Sequence, residues 1–334
     1  MSDTVQTEFF RPALDGVEEF THSVERVVIT LLITERCNYR CSHCLYACSP
    51  SRSAAYISDE ALQHVGRALH ACSGIDDLPV LNILGGEPTL NPAEFSRIVK
   101  WITELRPSFR LSMVTNGWWL QSIRRLAQVA AALQPLWGID EDRLRISISN
   151  TIWHDRFRTP RLQKMLRSRA LGEVLSRLDE WYPASEVHLL DDSQRQAIAK
   201  MAAAAQKEKL YVQCRMDSNS NLIYMGRAEE NGLGRRSHLC SAADLSLTVW
   251  PDGSIRHICD GAGKMQFGNI EQGIVGFWAV RKEFLARLHR RYNEPWSYAS
   301  GNPRCEHCKA YAGYWLSQEK PKFDPDKNIC KKPG

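Results

Sequence analysis

The stretch Val80-Leu81-Asn82-Ile83-Leu84-Gly85-Gly86-Glu87-Pro88-Thr89-Leu90-Asn91-Pro92-Ala93-Glu94 decides the fold. Its first five residues form a short apolar run that reads as a buried strand of a parallel sheet. Two glycines follow at the strand's end, where the missing Cβ lets the backbone come close to a ligand. Asn91 then supplies an N-cap, Pro92 suits the first helical position, and Glu94 is placed as in a capping box. This predicts a helix from Pro92 to about Leu105. A plain turn between strand and helix needs no carboxylate, so Glu87 is a candidate functional residue.

The same rhythm extends on both sides. Strand-like runs at Arg26–Thr34, Val80–Leu84, Arg110–Thr115, Arg143–Ser149, Glu186–Leu190 and Leu210–Arg215 alternate with helical stretches, which predicts an α/β fold with a parallel sheet. Four polar segments fall just past strand C-termini, the face on which β/α barrels build active sites. They are Cys37–Cys44, Gly85-Gly86-Glu87, Thr115-Asn116-Gly117, and Ser147-Ile148-Ser149-Asn150 with His154-Asp155-Arg156-Phe157-Arg158. From Gly226 the rhythm stops. Leu245–Val249, Pro251-Asp252-Gly253 and Ser254–Ile258 read as a β-hairpin with a tight turn.

The cysteines carry the metal chemistry. Cys37, Cys41 and Cys44 are spaced C-x3-C-x2-C, one thiolate short of the four that normally hold a 4Fe-4S cluster. Zinc is the alternative, with His43 or Cys48 as a fourth donor, and so is a group of buried thiols. Cys240, Cys259, Cys305 and Cys308 are spaced C-x18-C-x45-C-x2-C, which suits an iron–sulfur cluster or a zinc ribbon. Cys330 is a further ligand or a surface thiol, and Cys72 reads as core. Eleven cysteines behind an N-terminus without a basic-then-apolar export signal point to metal ligation in a reducing compartment, the cytoplasm.

The motifs together resemble the radical S-adenosylmethionine (SAM) superfamily, with a shortened SPASM-like (twitch) domain at the C-terminus. The resemblance implies a partial (β/α)6 TIM-like barrel followed by a small α+β iron–sulfur domain. Its boundaries are an N-terminal extension at 1–24, the barrel at 25–225 and the auxiliary cluster domain at 226–334. Tyr224-Met225-Gly226-Arg227-Ala228 looks like the segment that links the two in the family. By the same resemblance Cys37, Cys41 and Cys44 hold a 4Fe-4S cluster whose open iron takes SAM. Cys240, Cys259, Cys305 and Cys308 hold a second, auxiliary 4Fe-4S cluster. His43, Gly85, Gly86, Glu87, Asn116, Ser147, Ser149 and Arg158 line the SAM site, with Arg158 suited to bidentate capture of a carboxylate. Ser149 stands where the sulfatase-maturase branch has an aspartate.

The implied reaction is one-electron cleavage of SAM to methionine and a 5′-deoxyadenosyl radical, which takes a hydrogen atom from substrate. The protein's task is to hold one C–H bond against that radical and exclude water. The outcome is oxidation, with the auxiliary cluster as electron acceptor, or epimerisation, with a thiol returning a hydrogen atom. Cys214 and Cys48 are the candidate donors, and Arg227 is a candidate partner for a substrate oxygen or a tether between domains. The expected partners are a small polar metabolite or a peptide as substrate and a flavodoxin- or ferredoxin-type electron donor. An iron–sulfur or zinc regulator is the non-catalytic alternative.

Composition bounds this reading. A chain of 334 residues, 43% hydrophobic, can bury a sizeable core. No run of about 18 apolar residues suggests a membrane span, and no aromatic stacking motif accompanies the basic residues to suggest nucleic acid. The net charge of +5 includes a basic run, Arg156, Arg158, Arg161, Lys164, Arg167 and Arg169, that reads as a solvated helix face or as a surface for an anionic partner.

Overall fold

Alternate residues of a strand point to opposite faces, and β2 below shows what that does here: Leu81 and Ile83 are fully buried, while Val80, Asn82 and Leu84 are half-buried. The strand is therefore not equally covered on both sides, as its apolar run suggested. The computed structural model describes residues 24, 26–72, 75, 77–105, 108–167, 171–213, 244–256, 266–292, 323–324 and 329–330. Cys214, Arg227, Cys240, Cys259, Cys305, Cys308, the linking segment 224–228 and Arg169 lie outside the described residues.

The elements in chain order are β1 (Arg26–Leu32), α1 (Asp59–Ala71), β2 (Val80–Leu84), α2 (Pro92–Glu104), β3 (Arg110–Thr115), α3 (Ile123–Leu133), β4 (Leu144–Ile148), α4 (Pro160–Arg167), α5 (Leu171–Ser176), α6 (Leu178–Trp181), α7 (Ala184–Val187), α8 (Asp192–Gln206), β5 (Leu210–Val212), β6 (Asp244–Val249), β7 (Ser254–Arg256), β8 (Gln266–Asn269), α9 (Gly273–Tyr292), β9 (Phe323–Asp324) and β10 (Ile329–Cys330). They form two units, one of Leu31–Tyr56 with Val80–Asn221 and one of Met1–Thr30, Ile57–Pro79 and Leu222–Gly334.

In the first unit β2, β3, β4 and β5 lie side by side and parallel, with Leu111 opposite both Leu81 and Leu144, and Ile146 opposite both Met113 and Leu210. This is a mixed α/β architecture with a parallel central sheet, consistent with a partial TIM-like barrel. α2 buries Phe95, Ile98, Val99 and Ile102, a stripe one helical face wide. It starts at Pro92 with Asn91 Oδ1 accepting from the Ala93 and Glu94 N–H groups, as expected. Glu94 instead pairs with Arg97 at 2.9 Å, and Tyr56 Oη accepts the Asn91 N–H. Full capping boxes occur instead at α8, through Asp191 and Gln194, and at the 3-10 turn Ile270–Gln272, through Asn269 and Gln272.

One expected strand is absent. Glu186–Leu190 is the end of α7 and the turn after it, because the Pro183 carbonyl accepts from both Glu186 and Val187 and the Ala184 carbonyl from His188. Leu190 is buried but its neighbour Leu189 is 83% exposed.

In the second unit β6 pairs antiparallel with β7, and β7 with β8, Val249 facing Ile255. The expected hairpin is present, with Gly253 at φ +76° in its turn. α1 packs on α9 in this unit, and its buried residues include Leu62, Val65 and Leu69. Cys72 closes α1 as core, fully buried with its Sγ 3.1 Å from the Ala68 carbonyl.

Candidate active site

The cysteine loop is closed at its neck by backbone. Arg36 pairs with Ser49, and the Cys37 N–H donates to the Ser49 carbonyl at 3.2 Å. Inside the loop the Cys44 N–H donates to Cys41 O and the Ala47 N–H to Cys44 O, with Ala47 in the left-handed region at φ +53°. Cys37 and Cys41 are buried and Cys44 is half-buried. Burial, then the charges of Glu87, Cys41 and Cys44, push the Cys37 thiol up, opposed by the Tyr39 N–H that reaches its Sγ at 3.3 Å. A thiol held neutral this way must release its proton to ligate metal, so metal loading is coupled to pH. Cys48 is buried beside Cys44, which together with burial raises its thiol as well.

The glycine pair is pressed against this loop. The Gly86 N–H donates to Thr34 O at 2.7 Å and the Glu87 N–H to Arg36 O at 3.0 Å. A Cβ on Gly86 would lie 2.0 Å from the Arg36 oxygen and 2.7 Å from the Cys37 nitrogen. The close approach inferred from the sequence is therefore made to the chain segment that leads into Cys37.

Glu87 is wholly enclosed. Its Oε1 accepts from the Thr89 N–H (3.2 Å), Thr89 Oγ1 (2.6 Å) and Thr115 Oγ1 (2.6 Å), and its Oε2 from the Asn116 N–H (2.7 Å). Burial raises its carboxyl above the ordinary value while these four donors pull it back. Thr115 in turn accepts from the Gly117 N–H and Trp119 Nε1, both at 3.2 Å. Gly117, at φ +75°, turns the chain after Asn116.

The fourth segment folds over the others. The Ser149 N–H donates to Thr115 O at 2.8 Å. Ser147 Oγ donates to Met113 O and accepts from Gln213 Nε2 at 3.0 Å, which keeps its hydroxyl within the sheet. Residues Ile152–Phe157 make a 3-10 turn that presents rings to the cysteine loop. Tyr39 stacks on Phe157 with centroids 5.0 Å apart, His43 meets Trp153 at 4.8 Å and His154 at 5.1 Å, and Arg156 Nη2 donates to Arg40 O at 2.7 Å. His154 is held neutral by burial, with Arg158 and His43 adding to the shift, and its Nδ1 is 3.0 Å from Thr151 Oγ1.

Arg158 follows that turn and is buried. Its Nη2 donates to Asn116 O at 2.9 Å and to Ser149 O, and burial lowers its pKa against the opposing influence of Tyr39, Asp155 and Cys41. Its Nε is buried with no hydrogen-bond partner among the described residues. A buried guanidinium with an unfilled donor suits an anionic group such as the SAM carboxylate. Three buried or half-buried thiols beside it suit a cluster with one open iron.

Sequence reasoning gave no role of their own to Thr89, which bonds Glu87 two residues away, or to Thr115, Tyr39, Phe157 and Trp153, whose partners are distant in the chain. The basic run is partly spent on aromatic rings: Arg156 lies over Phe157, Arg161 over Tyr182 and Lys164 over Trp181. Among the described residues no helix is long and apolar enough to cross a membrane.

No protein-family model matches the chain. It is 32% identical over 104 residues to the GTP 3′,8-cyclase of Sulfurimonas denitrificans, covering 30% of this chain and 31% of that protein. To the GTP 3′,8-cyclase of Paenarthrobacter nicotinovorans it is 27% identical over 181 residues, 52% of this chain and 44% of the other. The match thus spans about a third to under half of these relatives. Similar solved structures include BtrN in complex with AdoMet and 2-DOIA (TM-score 0.46, 17% identity, 84% of this chain and 91% of that one) and native anSMEcpe with bound AdoMet (0.41, 13%, 87% and 97%). Over the part of the chain that aligns, its sequence is thus similar to that of GTP 3′,8-cyclases.

Proposed function

We propose that the protein is a radical SAM oxidoreductase that oxidises or epimerises a small polar metabolite. The observation that carries this is the joining of the cysteine loop, the Gly-Gly-Glu segment, the Thr-Asn-Gly loop and the Arg158 segment in one buried hydrogen-bonded network. A protein that only stored a cluster would not need a buried Arg158 with an unfilled donor. The GTP named for the curated relatives is itself a small polar metabolite, which favours that substrate class over a peptide.

Cys37, Cys41 and Cys44 would hold the 4Fe-4S cluster, and Arg158 Nε would receive the SAM carboxylate. When bound, the two supply one-electron cleavage of SAM and a carbon radical able to abstract hydrogen. The chain's own residues orient and shield. Glu87 fixes the ends of β2 and β3 to each other, Arg158 ties the β4 loop to Asn116, and the Tyr39–Phe157 stack covers the cysteine loop. We further propose a second cluster on Cys240, Cys259, Cys305 and Cys308, with Cys48 or Cys214 as hydrogen donor if the outcome is epimerisation. A flavodoxin or ferredoxin would be the electron source.

Anaerobically reconstituted protein is expected to hold about eight irons and to release 5′-deoxyadenosine from SAM after dithionite reduction. Zinc with no cleavage would overturn the proposal. Cys240→Ala is expected to leave SAM cleavage intact while stopping substrate turnover; normal turnover removes the second cluster from the reaction.

A further inference from the structure

Every polar group of Asn116 is committed within the chain, and each to a different motif. Its N–H donates to Glu87 Oε2 at 2.7 Å and its carbonyl accepts from Arg158 Nη2 at 2.9 Å. Its Oδ1 accepts the Trp118 N–H at 2.9 Å, which locks the side-chain rotamer. Its Nδ2 donates to Asn38 Oδ1 at 2.9 Å and to Cys37 Sγ at 3.8 Å. The carboxamide has two N–H bonds, and both have acceptors on the cysteine loop. Asn116 is 7% exposed, and the peptide groups on its two sides are each held by a charged side chain, the one before it through its N–H by Glu87 and the one after it through its carbonyl by Arg158.

We infer that Asn116 is a positioning residue for the cluster: its amide orients Cys37 and makes the cluster easier to reduce by donating an N–H to that sulfur. This rests on the reading of Cys37, Cys41 and Cys44 as a 4Fe-4S site, and it differs from the sequence expectation that Asn116 contacts SAM. The physical basis is general. Hydrogen bonds to cluster sulfurs stabilise the more negative, reduced state and raise the potential, and residues that orient a ligand tune a metal site without touching the metal. Two donors converge on Cys37, the Tyr39 N–H at 3.3 Å and the Asn116 amide at 3.8 Å. Only the second is a side chain that substitution can remove. Glu87 is then the anchor that sets Asn116, through Oε2.

The test compares reconstituted wild type with Asn116→Ala and with Asn116→Leu, an uncharged substitution of similar size, in the absence of SAM. Midpoint potentials are followed by electron paramagnetic resonance, and exchangeable protons near the cluster by electron–nuclear double resonance in H2O and D2O. Reduction is expected to become at least tenfold less favourable in both variants, about 59 mV for one electron, with loss of one exchangeable-proton coupling. Full iron content with unchanged potential and coupling overturns the inference. Wild type that takes up no iron overturns the parent reading, and is distinguishable because no cluster signal appears at all. If the Asn116 variants fail to fold, Asn38→Ala decides: it removes the competing acceptor and leaves the amide to Cys37. A potential at or above wild type is then expected, and a fall overturns the inference.

Discussion

Two loops of this protein are built differently. The turn between β6 and β7 is made mainly from its own residues: the Gly253 N–H reaches Trp250 O, the Trp250 N–H reaches Ser254 O, and Asp252 Oδ1 accepts the Ser254 N–H, with support from the end of β8, where the Ile270 N–H donates to Gly253 O and Asn269 Nδ2 to Asp252 O. The cysteine loop is held mainly by residues far along the chain. Gly86 presses on its entry, Asn116 donates to Cys37 and Asn38, Phe157 stacks on Tyr39 and Arg156 holds Arg40. A turn set mostly by its own residues depends on local dihedral preferences, whereas a loop whose neck closes on itself but whose side chains are held by distant segments depends on the sheet being assembled first. The second is suited to a site that must stay shielded and ordered around reactive chemistry.

The comparison can be broken at several points. The largest effect is expected from alanine at Cys37, Cys41 or Cys44, each of which should reduce 5′-deoxyadenosine formation to background and remove about four irons per chain. Cleavage that survives at any of the three takes that cysteine out of the site. Gly86→Ala comes next, because its methyl would overlap the Arg36 carbonyl at 2.0 Å. The expected loss is about 3 kcal/mol of stability, read by chemical denaturation of the metal-free protein, together with poor iron uptake.

Glu87→Gln places an amide among four donors and should cost about 1–3 kcal/mol. It should also alter the pH dependence. Burial raises the Glu87 carboxyl above its ordinary value of 4.5. Its contribution to folding is therefore full below that value and is lost as pH rises through the raised one. Denaturation curves on metal-free protein should show this decline in wild type and lack it in Glu87→Gln; parallel profiles would show that Glu87 titrates as an ordinary carboxyl. The smallest effect belongs to the local loop. Gly253→Ala should cost about 1–2 kcal/mol for its left-handed backbone and leave iron content unchanged. A loss of iron there would remove the distinction between the two loops.

Parts of both units are legible in the sequence. Val80–Leu84, the Asn91–Pro92 helix start and the hairpin at Pro251–Gly253 form as their residues predict, since period, caps and turn residues act over a few positions. Glu186–Leu190 reads as a strand because a short partly apolar run looks the same at a helix end as in a sheet, and only its backbone hydrogen bonds separate the two. Gly86 was flagged correctly, but what it approaches is the segment entering Cys37. The basic run was ambiguous because cation–ring contacts such as Lys164 with Trp181 join residues that no motif connects.

The sequence by itself determined the chemistry on offer: three cysteines at a spacing that leaves one ligand short, a glutamate after paired glycines, an asparagine in a turn and an arginine after a short aromatic turn. Tertiary structure decided how they are used. It spends Glu87 on Thr89, Thr115 and Asn116, spends Asn116 on Cys37, Asn38, Glu87, Arg158 and Trp118, and leaves one donor of Arg158 unfilled. The physical reason is that spacing fixes which residues are near in the chain, while hydrogen bonds in a buried site are satisfied between strand ends. Those ends become neighbours only when the parallel sheet forms.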